Sequence, residues 1–208
     1  MKRRSLLKAG VAFAVPGVLS FGASAKPVSK AKAPKILVVY FSRPGMNYVS
    51  GDMVNLPVGN TEKFAKIIAK TLDAPLFRIE PVTPYPFDYR KTTAIAREER
   101  SAGKARDAKA IPDIRGYDVI FWGHPIWYGE MPYIVRGVLS KLDCAGKTIV
   151  PFVTHEGSGI GDTVNLVRSF QKRAAVREGL GILGTRFARN EPVEPEITAW
   201  LKRLGYQK

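Results

Sequence analysis

Six apolar residues in a row, Ile36-Leu37-Val38-Val39-Tyr40-Phe41, end abruptly at Ser42. A run this short and continuous reads as a strand buried on both faces, set over Lys35–Phe41. After a polar stretch, Phe64, Ile67, Ile68 and Leu72 recur at helical spacing and predict a helix over Thr61–Leu72. The alternation continues. A strand fits Pro75–Glu80, ended by Pro81, Pro84 and Pro86, and a charged surface helix runs from Tyr89 to about Gly103. Tyr117–Trp122 reads as a third strand, and Met131–Leu142 as a helix with Pro132 in its first turn. Thr148–Val153 is a fourth strand, followed by a glycine-rich turn and a helix over Asp162–Arg173; Leu180–Phe187 is a weaker fifth strand. The last helix has Pro195 early, Ile197, Trp200, Leu201 and Leu204 on one face, and Gly205 as its stop. Continuous apolar strands alternating with amphipathic helices define an α/β class, a doubly wound parallel sheet covered on both faces. No internal repeat is visible. The connection Ser42–Gly59 is long for a strand–helix link and reads as a functional loop.

The first residues follow a different pattern. Lys2-Arg3-Arg4-Ser5-Leu6-Leu7-Lys8 is basic, Ala9 to Ala23 is Gly/Ala-rich and modestly apolar, and Ala23-Ser24-Ala25 supplies small residues for cleavage. The apolar stretch is short and interrupted by Pro16, Gly17 and Gly22, which favours a cleaved signal over a retained membrane anchor. The paired arginines resemble a twin-arginine export signal, with Leu6 where that pattern usually carries Phe. The expected organisation is a cleavable export signal over 1–25, a disordered Pro/Ala/Lys-rich tether over 26–34 and a folded domain over 35–208. The expected location is periplasmic, with no stable membrane anchor after cleavage.

The chain of 208 residues carries a formal charge of +15. That falls to +11 when Lys2, Arg3, Arg4 and Lys8 leave with the signal, and to +7 when Lys26, Lys30 and Lys32 of the tether and Lys35 at its junction with the domain are set aside. The remaining cations are scattered among acids, as in Arg97-Glu98-Glu99-Arg100, so a nucleic-acid surface is not expected. A redox partner protein with an acidic surface is the sharper alternative to a merely solvated face. The one cysteine, Cys144, cannot form an intramolecular disulfide and reads as a buried thiol.

Three unusual loops fall at the carboxyl ends of the predicted strands, where open parallel sheets bind ligands. The first leads from Ser42 to Gly59-Asn60-Thr61-Glu62. A helix N-terminus there offers unpaired N–H groups and the positive end of the dipole, with Ser42, Asn60 and Thr61 adding side-chain donors. No acid stands three residues after Asn60 or Thr61 to close a capping box, so an outside anion is free to bind; ordinary capping by Asn-Thr is the plainer reading. The second loop, Gly123-His124-Pro125-Ile126-Trp127-Tyr128-Gly129, places two aromatics between Gly and Pro. They either meet a planar ligand or pack onto the domain itself. The third, Thr154-His155-Glu156-Gly157-Ser158-Gly159-Ile160-Gly161, is flexible enough to lie flat against a ring and offer N–H groups. Phosphate donors, an aromatic wall and an amide loop together describe a site for a phosphorylated planar heterocycle.

These residues resemble the flavodoxins, and more narrowly the flavodoxin-like proteins that carry Tyr-Phe-Ser-Arg, Gly-Asn-Thr-Glu, Pro-Ile-Trp and a Thr-x-x-Gly-Ser-Gly turn. Here those are Tyr40–Arg43, Gly59–Glu62, Pro125–Trp127 and Thr154–Gly159, in order across about residues 35–204. The resemblance implies a five-stranded sheet of order 2-1-3-4-5 and non-covalent FMN. The phosphate is expected on Ser42, Asn60 and Thr61, with Arg43 beside them. The isoalloxazine is expected between Pro125, Ile126, Trp127, Tyr128 and Gly129 on one side and Thr154, His155, Glu156, Gly157, Ser158 and Gly159 on the other. Short-chain flavodoxins keep the phosphate loop contiguous, whereas residues 43–58 intervene here. That insertion either folds over the ribityl chain or forms a partner surface. His155 either tunes the flavin potential with pH or bonds its own turn, and His124 reads as structural because it ends a strand before a proline.

The leading functional expectation is an exported FMN-binding electron-transfer protein. The alternative is an NAD(P)H-dependent FMN oxidoreductase acting on a quinone, flavin or other small acceptor, and a module that has lost its flavin is a third. Other classes fit poorly. A phospho-acceptor receiver needs acids where Ser42-Arg43 and Gly123-His124-Pro125 stand, no Gly-x-Ser-x-Gly elbow marks a hydrolase, and two distant histidines with one cysteine make no zinc site.

Overall fold

The structure, a computed structural model, describes residues 33–206. The export signal read over 1–25 lies outside those residues, as does the tether up to residue 32.

The apolar run forms β1 (Ile36–Tyr40) and leads into an antiparallel hairpin, β2 (Gly45–Val49) and β3 (Asp52–Leu56). Next come α1 (Asn60–Leu72), β4 (Leu76–Arg78), α2 (Tyr89–Ala102) and β5 (Val119–Pro125). The second half runs α3 (Tyr133–Leu139), β6 (Thr148–His155), α4 (Thr163–Phe170), β7 (Ala175–Val176) and β8 (Leu180–Leu183). It closes with α5 (Gly184–Ala188) and α6 (Glu194–Arg203). Strands β4, β1, β5 and β6 lie side by side in that order, all parallel, and β7 and β8 both pair with β6.

This is the doubly wound order 2-1-3-4-5. The fifth position is shared by two short strands, because β7 pairs with Thr148–Ile149 and β8 with Phe152–His155. The strand read over Leu180–Phe187 therefore stops at Leu183, and its second half is α5. Alternate residues of each central strand enter opposite cores. Val38, Tyr40, Phe121 and Phe152 pack with Phe64 and Ile68 of α1 and Trp200 and Leu201 of α6. Leu37, Val39, Ile120 and Trp122 pack with Ile134, Val135 and Val138 of α3 and Val167 of α4. Side chains of period two thus serve two helical layers.

Other boundaries differ for physical reasons. β5 runs on through Gly123-His124-Pro125, in register with Phe152–Thr154 and buried as far as His124, although Gly and Pro read as loop. Pro132 caps α3 instead of lying within it, and α3 and α4 are shorter than their amphipathic patterns. The inserted hairpin turns at Ser50-Gly51, both at positive φ, as a two-residue connection requires. Among the described residues no helix is long and apolar enough to cross a membrane.

Candidate functional site

The register of the sheet brings three strand ends to one rim: Tyr40 beside Gly123, and Pro125 beside Thr154. There β1 lies between strands whose connections run in opposite directions, the crevice where open α/β sheets bind ligands. A cleft of about 140 Å³ opens at that rim. It is lined by Ser42 and Arg43 after β1, Asn60 and Thr61 of α1, Pro125–Trp127, and Thr154–Glu156.

The floor of the cleft is the N-terminus of α1. Gly59 is the cap, and a Cβ there would stand 2.3 Å from Ser42 Oγ and 2.6 Å from the Arg43 carbonyl. The missing side chain serves the chain itself, since glycine lets the helix start sit directly on the end of β1. Ser42 Oγ accepts from the Glu62 N–H at 3.1 Å, which leaves the serine proton free to donate. The hydroxyls of Thr61 and Thr154 lie 2.7 Å apart, both buried, so one donates to the other and one proton remains. Among the described residues the N–H groups of Asn60 and Thr61 have no acceptor, and Asn60 Oδ1 is buried without a partner. Turning that amide presents its NH₂ instead. Donors thus outnumber acceptors around one point at the positive end of a helix, a set that fits a phosphate.

Arg43 is buried, and its guanidinium bonds the carbonyls of Pro86 (3.0 Å), Phe87 (3.2 Å) and Met46. Its charge lies beside the cleft while its N–H groups hold backbone, and burial lowers its pKa. Glu62 faces away, paired with Lys66 at 2.6 Å and Arg78 at 3.1 Å, so its carboxylate is neutralised outside the cleft.

The walls come from the two other loops. Trp127 is half-buried with its ring edge-on to Phe41 (centroids 5.5 Å apart) and to Tyr85 (4.9 Å). Core packing therefore fixes its orientation. Tyr128 is exposed, donates to the Thr93 carbonyl at 2.8 Å and carries Arg97 over its ring at 5.9 Å. Tyr128 sits at positive φ followed by Gly129, also positive, which turns the chain out of the cleft lining. His155 Nδ1 accepts from the Gly157 N–H at 3.1 Å, the turn bond read for it, and its side chain also lines the cleft; burial lowers its pKa. Glu156 accepts from Thr185 Oγ1 at 2.5 Å. Gly157, Ser158 and Gly159 lie beyond the lining, at the outer rim of the same loop.

Four lining residues were not read from the sequence: Asn47 and Tyr48 from the hairpin, Tyr89 from the first turn of α2, and Gly184. A Cβ on Gly184 would meet Glu156 Oε1 at 2.7 Å and Asn60 Nδ2 at 2.8 Å. A second compartment of about 140 Å³ shares Arg43, Asn47, Tyr89, Ile126 and Trp127 and continues along α2 to Tyr128. A larger cavity of about 580 Å³ lies at the hairpin root, among Phe41, Leu56, Ile79, Tyr85 and Phe87. Among the described residues no first-turn residue of a helix lines that cavity, so it lacks the donor set of the first cleft.

Fold and rim together define an α/β protein with a donor-rich cleft at the switch point of its sheet. The family model for flavodoxin matches residues 35–204, and the chain belongs to the flavodoxin family. A candidate flavoprotein from Bacteroides eggerthii is 27% identical, with a TM-score of 0.65 over 83% of this chain and 98% of that one. Another from Bacteroides uniformis is 24% identical, with a TM-score of 0.60 over 80% of this chain and 99% of that one. The flavoprotein from Lactobacillus acidophilus solved in complex with FMN is 21% identical, with a TM-score of 0.52 over 72% and 93%; these last two share the fold. No curated protein matches the chain.

Proposed function

We propose that this chain is a flavodoxin-type electron carrier that binds FMN non-covalently. The observation that carries the reading is the pair of unaccepted N–H groups on Asn60 and Thr61, ringed by the hydroxyls of Ser42, Thr61 and Thr154. These residues hold the phosphate, with the Arg43 charge beside it. The ring lies toward Pro125–Gly129 and Thr154–Gly159, where Trp127 and His155 already face the cleft. When bound, FMN supplies one- and two-electron transfer. The protein binds it, orients it and biases its reduction state. The absorbance spectrum of protein purified from its native compartment tests this: the preparation is expected to be yellow, and stripped protein to take up one FMN per chain. Colourless protein that takes up no FMN overturns the reading.

The partner is read as a protein with an acidic surface, because Arg90, Lys91 and Arg97 stand exposed on α2 beside Tyr89 and Tyr128. A second reading, an NAD(P)H-dependent reductase of a quinone, flavin or other small acceptor, draws on the side compartment between Tyr89 and Tyr128, which leaves room for a second small molecule. Steady-state NAD(P)H oxidation with and without quinone separates the two; rapid turnover favours the reductase.

Export to the periplasm rests on Arg3-Arg4 and the small residues before Lys26. Arg3→Lys with Arg4→Lys is expected to trap the precursor in the cytoplasm, and a normal periplasmic yield counts against it.

A further inference from the structure

The hairpin inserted between β1 and α1 reaches the cleft through Asn47 and Tyr48 of β2. β2 contacts α2, which packs against one core through Ile95, and α5, which packs against the other through Phe187. It therefore bridges the two faces of the sheet above the strand ends. Its root is held on all sides. The Arg43 guanidinium joins the carbonyls of Met46, Pro86 and Phe87, and the Met46 N–H donates to the Phe87 carbonyl at 2.9 Å. Gly45, at φ +98°, leaves no room for a Cβ, which would stand 2.9 Å from that same carbonyl. Asn47 Nδ2 donates to the Gly45 carbonyl at 2.8 Å and tightens the turn.

This placement brings Asn47 and Tyr48 to the cleft lining, opposite the loops after β5 and β6, and sets Tyr89 of α2 next to them. Tyr48 is 40% exposed, although it sits over a concave, donor-rich site. The aromatic expected to form the flavin wall, Trp127, has its orientation fixed by Phe41 and Tyr85. Tyr48 and Tyr89 are the lining aromatics not held in that ring cluster.

We propose that the β2–β3 hairpin is a strap over bound FMN, with Tyr48 and Tyr89 as ring-contacting residues and Arg43 as the positioning residue that holds the strap in place. The inference rests on the FMN reading above and assigns its second wall. Tyr48 supplies a rigid amphipathic face whose stacking on an aromatic ring adds to simple area burial. Arg43 acts through geometry: its planar fork meets several carbonyls at once, which a lysine ammonium cannot do from one position.

The test is titration of stripped protein with FMN and with riboflavin, read by quenching of flavin fluorescence. Tyr48→Ala is expected to weaken both flavins roughly tenfold and to leave bound flavin more fluorescent, because a ring contact is lost and the phosphate seat is untouched. Tyr48→Phe is expected to stay within about twofold of the parent. Arg43→Lys is expected to weaken both flavins while speeding proteolysis within residues 45–56. Tyr48→Ala and Tyr89→Ala that bind and quench as the parent does overturn the proposal while leaving FMN binding intact. A parent chain that takes up no FMN overturns the proposal and the reading beneath it.

Discussion

The hydroxyl of Thr61, in the first turn of α1, lies 2.7 Å from that of Thr154, at the end of β6. One bond thus ties the helix N-terminus to a strand end two positions across the sheet from β1, and both residues are buried. Two hydroxyls sharing one bond keep one proton for an outside acceptor, and both residues line the cleft.

Thr61→Val removes that proton along with an acceptor. It is expected to weaken FMN binding about tenfold, in line with the loss of a hydrogen bond to a charged group. Riboflavin, which has no phosphate, is expected to change less than about twofold by the same argument. Thr61→Ser should restore FMN. Equal losses for the two flavins would remove Thr61 from the phosphate seat. The contrast with Tyr48 is diagnostic, since a ring contact affects both flavins alike.

Gly59 is required by the chain before any ligand arrives. Its φ of −67° is open to every residue, so the demand is purely steric. Gly59→Ala puts a methyl 2.3 Å from Ser42 Oγ and 2.6 Å from the Arg43 carbonyl, and the helix start must back away. Urea unfolding is expected to report a loss of about 1–3 kcal/mol, the usual cost of overpacking. Gly116→Ala is the control, since nothing lies within 4 Å of its Cβ, and it should be close to neutral. If both variants unfold alike, the close approach at Gly59 carries no energy.

The comparison of pattern with structure separates what is local from what is not. Strand β1 and helix α1 were legible because the apolar runs that define them are the residues they bury: Val38 and Val39 on opposite faces, Phe64 and Ile68 on one. The three loops were legible as well, since a parallel sheet of known order puts them at one rim. The hairpin was not. Ser50-Gly51 is a turn signal, yet Tyr48 and Met53 are exposed while Met46 and Val54 are half-buried, so its strands carry no clean two-residue alternation. Tyr89 reads as one more residue of a charged surface helix, and only the position of α2 against β2 brings it to the cleft. The role of Trp127 was half legible: its place by the cleft follows from the loop, but its edge-on packing against Phe41 and Tyr85 is a tertiary fact.

His124 gives the fold a pH dependence with a definite sign. It is fully buried near the end of β5, with Nδ1 3.0 Å from the Pro125 carbonyl and Nε2 without a partner. A proton on Nε2 would be an unpaired buried charge, and burial lowers the pKa from 6.5 to about 4. The unfolded chain therefore binds more protons than the folded one between those values. Stability is full above about pH 6.5, falls as pH drops toward 4 and levels below it. The loss is on the order of 3 kcal/mol at 1.36 kcal/mol per unit. Urea unfolding at pH 7 and pH 4.5 measures it, and His124→Phe, which cannot titrate, should show a smaller difference. A variant that loses as much as the parent would place the acid sensitivity elsewhere.

The cations of α2 bear on which partner the cleft meets. Arg90, Lys91 and Arg97 are exposed, and among the described residues none of them forms an ion pair, whereas Arg100 of the same helix is bound to Glu130 at 2.7 Å. Three cations without an ion pair beside Tyr89 and Tyr128 outnumber the exposed Asp88 and Glu98 of the same segment and raise the local potential, and such fields accelerate the approach of anions until salt screens them. Photoreduced protein is therefore expected to be reoxidised by ferricyanide faster at low ionic strength than at high. Combined Arg90→Glu, Lys91→Glu and Arg97→Glu substitutions should reverse that salt dependence and leave the FMN affinity of the cleft unchanged, because none of the three lines it. If parent and variant respond to salt alike, the basic face of α2 does not steer electron acceptors, and an acidic partner loses its physical basis.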